Sequence, residues 1–119
     1  MHPRTQLLCE MTGLTMPQLM GALGVMRVSP EGWHVRLENA ATIAYKLGLT
    51  AEQRQRLAES FAPRNEWERA RFARFLTLRA AARLAGINHE TARRIESGAS
   101  RLAIAAYRSA IGMQEVADD

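Results

Sequence analysis

Apolar residues recur along this chain at helical spacing in short runs, and each run is bounded by a capping side chain or a glycine. The first run predicts a helix from Thr5 to Met11, ending near Gly13. Thr15 can cap the next, with Pro17 in its first turn, where a missing N–H costs nothing. That helix carries Leu19, Met20 and Leu23 and stops at Gly24. The stretch from Met26 to Leu37 has two readings. Ser29-Pro30 can start a helix that leaves Trp33 and Leu37 on one face. Alternatively Met26 and Val28, then Pro30-Glu31-Gly32, then Trp33, Val35 and Leu37 fit a hairpin with period-two alternation. The helix is the preferred reading.

Ala40 to Leu47 reads as a helix closed by Gly48, and Thr50 caps another, with Glu52 and Gln53 in its first turn, running to about Phe61. Pro63 then breaks the pattern, so Ala62-Pro63-Arg64-Asn65 is the best candidate linker. Asn65 caps a helix through Phe75, with Trp67, Ala70, Phe72, Ala73 and Phe75 available for a core. Three short helices follow: Thr77 to Ala85, Asn88 to Ser97, and roughly Leu102 to Ile111. The predicted fold class is all-α: one or two small helical bundles, divided into a module over residues 1–61, a module over 66–112 and an acidic tail over 113–119 that is expected to fray.

The bulk numbers sharpen this picture. A chain of 119 residues fits one compact domain or two very small ones, and a hydrophobic content of 47% argues against wholesale disorder. Aromatics make up only 6%, and Ala and Leu dominate, which favours helices packed on small side chains. Residues 1–60 hold 6 basic and 5 acidic side chains, whereas residues 61–114 hold 10 basic and 4 acidic. The basic excess is nearly all arginine, and Lys46 is the only lysine. Arginine suits bidentate contacts to phosphate and guanine, although codon bias in a GC-rich genome produces the same enrichment. Cys9 is the only cysteine, which excludes an intrachain disulfide and a cysteine-based zinc site; its neighbours Leu7, Leu8 and Met11 point to a core thiol. No apolar run approaches membrane-spanning length and Met1-His2-Pro3-Arg4 has no signal-peptide core, so a cytoplasmic setting with no membrane partner is expected.

The segment from Leu76 to Gly98 carries the functional argument. Leu78, Ala81, Ala82 and Ala85 form one helix face; Gly86 and Ile87 follow; Asn88 is a strong cap; Ala92 and Ile95 are spaced to face back into the same core. Two short helices therefore meet across a tight glycine turn, with alanines where they cross. Leu76 to Gly98, extended by Ala99 to Tyr107, resembles the helix-turn-helix core of the phage-repressor family, the lambda-repressor-like, Cro- and XRE-type proteins.

The resemblance implies binding to double-stranded DNA and roles by position. Asn88, His89 and Glu90 would stand at the N-terminus of a recognition helix, nearest the base edges, with His89 donating to guanine or phosphate and Glu90 accepting from a cytosine amino group. Thr91, Arg93 and Arg94 would line the groove or reach phosphates; Arg79, past the Thr77 cap, would meet the backbone; Ser100 and Arg101 would hold phosphate from the loop. Plainer readings stand beside these. Glu90 suits a helix N-terminus through the dipole alone, Arg93 suits any solvated helix face, and Glu96 reads as structural, bonded to a neighbouring helix terminus or paired with an arginine.

Leu14 to Val25 and Thr42 to Thr50 resemble the opening and closing parts of the same family, which implies a second, degenerate copy in tandem. Between them the pattern departs: Pro30 falls where Ala92 would be buried, and Met20 replaces the small Ala82. The candidate second reading helix, with Glu31, Gly32, His34 and Arg36, carries little net charge. The implied function is a sequence-specific transcriptional regulator, a repressor of phage or mobile-element type, acting as a homodimer on a palindrome or as a monomer with two modules on an asymmetric site. The alternative is a protein-binding antiactivator or antitoxin-like adaptor, with the N-terminal module holding the partner. His2, His34 and His89 lie in separate segments and offer no metal spacing, so no enzyme chemistry, metal or cofactor is expected.

Overall fold

The computed structural model describes residues 2–25 and 33–113. These residues form eight helices and no strand. They divide into two compact units, unit 1 (Met1–Phe61) and unit 2 (Ala62–Asp119). No described helix is long and apolar enough to cross a membrane.

Unit 1 holds α1 (Pro3–Thr12), α2 (Met16–Leu23), α3 (Leu37–Leu47) and α4 (Ala51–Glu59). The starts of α2 and α4 are the ones the capping residues specify, while α1 begins at Pro3 behind a His2 cap, two residues ahead of Thr5. Thr15 and Gln18 make a reciprocal capping box on α2, and Thr50 and Gln53 make another on α4. α1 packs on α4 and α2 on α3. Leu8, Leu19, Val35 and Leu57 are fully buried, with Ile43, Ala44 and Leu49 around them. Side chains from later helices close the C-termini of earlier ones: Gln53 Nε2 donates to the Met11 carbonyl at 3.0 Å and Lys46 Nζ to the Leu23 carbonyl at 3.3 Å. Those carbonyls have no partner within their own helix, so each contact ties two elements together. Cys9 is half-buried rather than a core residue, and that burial pushes its thiol pKa up.

Three expectations for unit 1 are corrected. Trp33 to Arg36 are neither helix nor strand, and α3 begins at Leu37, three residues ahead of Ala40. The reason lies in the partners of this segment. The Val35 carbonyl accepts from Arg4 Nε at 2.9 Å and the Trp33 carbonyl from Thr5 Oγ1 at 3.4 Å, so both are spent on α1 rather than on a local ladder. His34 and Arg36 consequently do not belong to a second reading helix. Met26 to Gly32, where the helix and hairpin readings divide, lie outside the described residues. α4 ends at Glu59 with Ser60 as its cap, short of Phe61.

Unit 2 holds α5 (Glu66–Ala73), α6 (Leu78–Ala85), α7 (His89–Glu96) and α8 (Ile104–Ala110). α6 packs against both α7 and α8. The core is Ala81, Ala82, Ala92, Ile95, Tyr107 and Ile111, with Trp67, Ala70, Leu76, Leu78 and Ile87 packed at its margin. The alanines let α6 approach its neighbours closely, and Ile95 with Tyr107 fills the space between. Between α6 and α7 the chain turns at Gly86, whose φ of 72° is left-handed. A Cβ there would meet nothing within 4 Å, so a substitution would be resisted by the backbone conformation rather than by packing.

α5 departs from expectation. It stops at Ala73 rather than Phe75, because Phe75 itself adopts the left-handed conformation that closes the helix, with the Leu76 N–H returning to the Arg71 carbonyl at 3.1 Å. Ala73 is exposed, and the buried residues of α5 are Glu68 and Arg71, each 6% exposed. α8 begins at Ile104, two residues after Leu102.

Candidate functional site

The α6–α7 pair presents two very different faces. Inward, α7 buries Ala92 and Ile95. Outward, it exposes Glu90, Arg93, Arg94 and Ser97, with His89 and Thr91 half-buried at its first turn. The helix is thus sharply amphipathic, and its polar side carries two arginines and one carboxylate.

A buried ionic chain sets the position of α7. Arg71 Nε and Nη2 donate to the two Glu96 carboxylate oxygens at 2.8 and 3.1 Å, and Arg71 Nη1 donates to the Leu76 carbonyl at 3.1 Å. The pair is nearly dry, with side-chain exposures of 8% and 9%. The Tyr107 hydroxyl also donates to Glu96 Oε2. Burial, reinforced by this carboxylate, raises the phenol pKa well above its ordinary value. Arg71 lies 3.9 Å from Glu68, which in turn takes hydrogen bonds from the Arg64 guanidinium and backbone N–H. The Arg64 hydrogen bonds hold the Glu68 carboxyl below the usual range against the opposing effect of burial. Of the two structural readings of Glu96, the arginine pairing is the one the fold uses. The chain Arg64–Glu68–Arg71–Glu96–Tyr107 therefore links α5, the end of α7 and α8.

Each residue singled out in the sequence has a definite place. The Asn88 side chain accepts the Thr91 N–H at 2.8 Å and caps α7. Glu90 accepts from Arg93 Nη2 at 2.7 Å and Nε at 3.1 Å, and lies 3.5 Å from Arg94 Nε. The Arg93 hydrogen bonds hold the Glu90 carboxyl below its ordinary range, and Glu90 raises the Arg93 guanidinium in return. Ser100 Oγ accepts the Leu102 N–H at 3.2 Å and stabilises the loop after α7. Arg79 is exposed in the first turn of α6, which contains no acidic residue, while the Thr77 hydroxyl caps that helix through the Ala80 N–H. Arg79, Arg83 and Arg101 are exposed and make no ion pair among the described residues.

Between α5, α6 and α7 lies an open cleft of about 430 Å³, lined by Arg64, Asn65, Leu78, Arg93 and Ser97, with the ionic chain at its wall. Arg64, Arg83 and Ser97 carried no expected role. Arg83 carried a usable signal, since it stands four residues after Arg79 on the same helix. No group of three or more His, Cys, Asp or Glu among the described residues is placed to hold a metal ion.

Comparison with protein-family models, curated proteins and solved structures returns no match. The arrangement of charges and helix ends therefore has to carry the functional reading. Chemically the exposed Arg79, Arg83 and Arg101, with the first-turn N–H groups of α6 that Thr77 leaves uncapped, can attract anions.

Proposed function

We propose that unit 2 is a sequence-selective binder of double-stranded DNA and that the chain regulates transcription, as a repressor of phage-like type. In this reading α6 and α7 are a helix-turn-helix, with α7 in the major groove. The observation that carries it is the α6–α7 pair itself. Small residues and a left-handed Gly86 lie where α6 and α7 meet, the solvent face of α7 bears Arg93 and Arg94, and Arg79, Arg83 and Arg101 of the same unit are exposed with no ion pair among the described residues. His89 and Thr91, at the first turn, are the base-edge candidates together with Glu90. Arg79 with the first-turn N–H groups of α6, and Ser100 with Arg101, are the phosphate candidates. Asn88 serves this face as the cap that starts α7. A palindromic site requires two copies of the chain, and unit 2 would supply one half-site each. The cytoplasm is the compartment such a role requires.

A protein-holding role is the second reading, favoured in unit 1 by a small cleft of about 150 Å³ with Leu23, Val25, Trp33 and Ile43 in its lining. One titration separates the two. Affinity for the DNA around the chain's own gene is measured against salt for wild type and Arg94→Ala. Selective binding that weakens steeply with salt, with a slope shallower by about one in the variant, supports the DNA reading. Weak binding, equal for all sequences and indifferent to Arg94, refutes it and favours the protein-holding alternative.

A further inference from the structure

The outward face of α7 has an internal arrangement that the resemblance to repressors does not assign. One carboxylate, Glu90, holds two guanidiniums. Its contact with Arg93 is two-pronged, at 2.7 and 3.1 Å, and Arg94 approaches at 3.5 Å. The spacing is i to i+3 and i to i+4, so both arginines lean back along the helix toward its first turn. The trio has a net charge of +1 rather than the +2 that the arginines alone would present. An exposed pair of this kind contributes little to folding, so stability does not explain the geometry. A fixed guanidinium plane does matter to recognition, because bidentate readout depends on orientation, whereas phosphate attraction depends on charge and reach.

We propose, resting on the DNA-binding reading above, that Glu90 is a positioning residue for sequence selectivity: it restrains Arg93 and Arg94 from indiscriminate phosphate contact and fixes the plane in which Arg93 meets the groove. The carboxylate thereby suppresses binding to arbitrary duplex while leaving the aligned complex available. This differs from the cytosine-accepting role expected of Glu90, because here the carboxylate acts through Arg93, to which both of its oxygens are bonded, rather than on a base. It also predicts a gain of affinity on removing the carboxylate charge, which no purely structural role produces.

The experiment uses the full chain and the variants Glu90→Gln, Arg93→Ala and the double substitution. Each is tested against a duplex of arbitrary sequence and against a duplex enriched from a randomised pool by the wild-type protein. Circular dichroism verifies helix content, since α7 is short. For Glu90→Gln, binding to arbitrary duplex is expected to tighten roughly three- to tenfold at about 0.1 M salt, with a salt slope steeper by about one. Discrimination between the two duplexes falls by at least the same factor. With Arg93 already removed, the substitution at Glu90 is expected to have a smaller effect, because only Arg94 remains to be released. Unchanged arbitrary-sequence affinity in folded Glu90→Gln overturns the inference while leaving the DNA reading intact. Loss of affinity for the enriched duplex alone, with arbitrary binding unaltered, also overturns it, and returns Glu90 to direct contact with a base. If the wild type binds no duplex or enriches no sequence, the DNA reading fails and this inference fails with it.

Discussion

Replacing Glu96 by alanine tests how far unit 2 depends on its buried ionic chain. The substitution removes two Arg71 hydrogen bonds, at 2.8 and 3.1 Å, and the acceptor of the Tyr107 hydroxyl. Leaving a buried charge without its partner costs roughly 3–5 kcal/mol. Arg71 keeps the Leu76 carbonyl at 3.1 Å and Glu68 at 3.9 Å, which places the expected loss near the lower end, about 3 kcal/mol. A single core below about 70 residues rarely supplies more than about 3–5 kcal/mol, so Glu96→Ala should leave unit 2 close to its unfolding midpoint at room temperature. Glu96→Gln retains the volume and one acceptor, and should cost about half as much. Urea denaturation followed by Trp67 fluorescence in a Trp33→Phe background reports on unit 2, because Trp67 packs against Tyr107 with ring centroids 6.0 Å apart. The expected order of midpoints is wild type, then Gln, then Ala. An Ala variant within about 0.5 kcal/mol of wild type, the range of an ordinary surface substitution, would refute the claim that this pair holds α7 in place.

Two further expectations concern pH. The Glu68 carboxyl is lowered by its Arg64 hydrogen bonds, so the stability it contributes is present above the ordinary Glu range and is lost as pH falls through the depressed value; acid unfolding of unit 2 should therefore begin below about pH 4.5, and Glu68→Gln should flatten that limb of the stability profile. Tyr107 behaves in the opposite sense: burial and Glu96 raise its pKa, so the unfolded chain ionises first and stability falls as pH rises above about 10, a limb that Tyr107→Phe should remove.

The parts of the fold legible in the sequence are those governed by local chemistry. Thr15, Thr50, Asn65, Thr77 and Asn88 each cap a helix through a side-chain hydrogen bond, and Gly13, Gly24, Gly48 and Gly86 each close one in the left-handed conformation. Such signals act over three or four residues, which is the range a pattern can register. What a local pattern leaves open acts over longer distances: Glu96 could be read as an arginine's partner, but not as Arg71's. The pairing of Arg71 with Glu96 spans 25 residues, so α5 looked like a helix with an apolar inward face when its buried positions are charged. Phe75 ends α5 with a positive φ that no side-chain preference announces. The segment at Trp33 to Arg36 is set by acceptance from Arg4 and Thr5, again invisible to periodicity. On α7 the spacing of Glu90, Arg93 and Arg94 was in plain view. Each carries an expected ligand role, with a plainer reading beside it for Glu90 and Arg93; the pairing among the three is what the pattern did not suggest.

The single lysine has a consequence for how this protein can be chemically addressed. Lys46 carries the only side-chain amine in the chain, and that amine closes the end of α2. Acylation would remove its charge and weaken its hold on the Leu23 carbonyl, acting on unit 1 alone. The arginine-rich face of unit 2 offers no group that reacts in this way, so amine chemistry could mark, tether or perturb one half of the molecule while leaving the cationic surface of the other chemically silent.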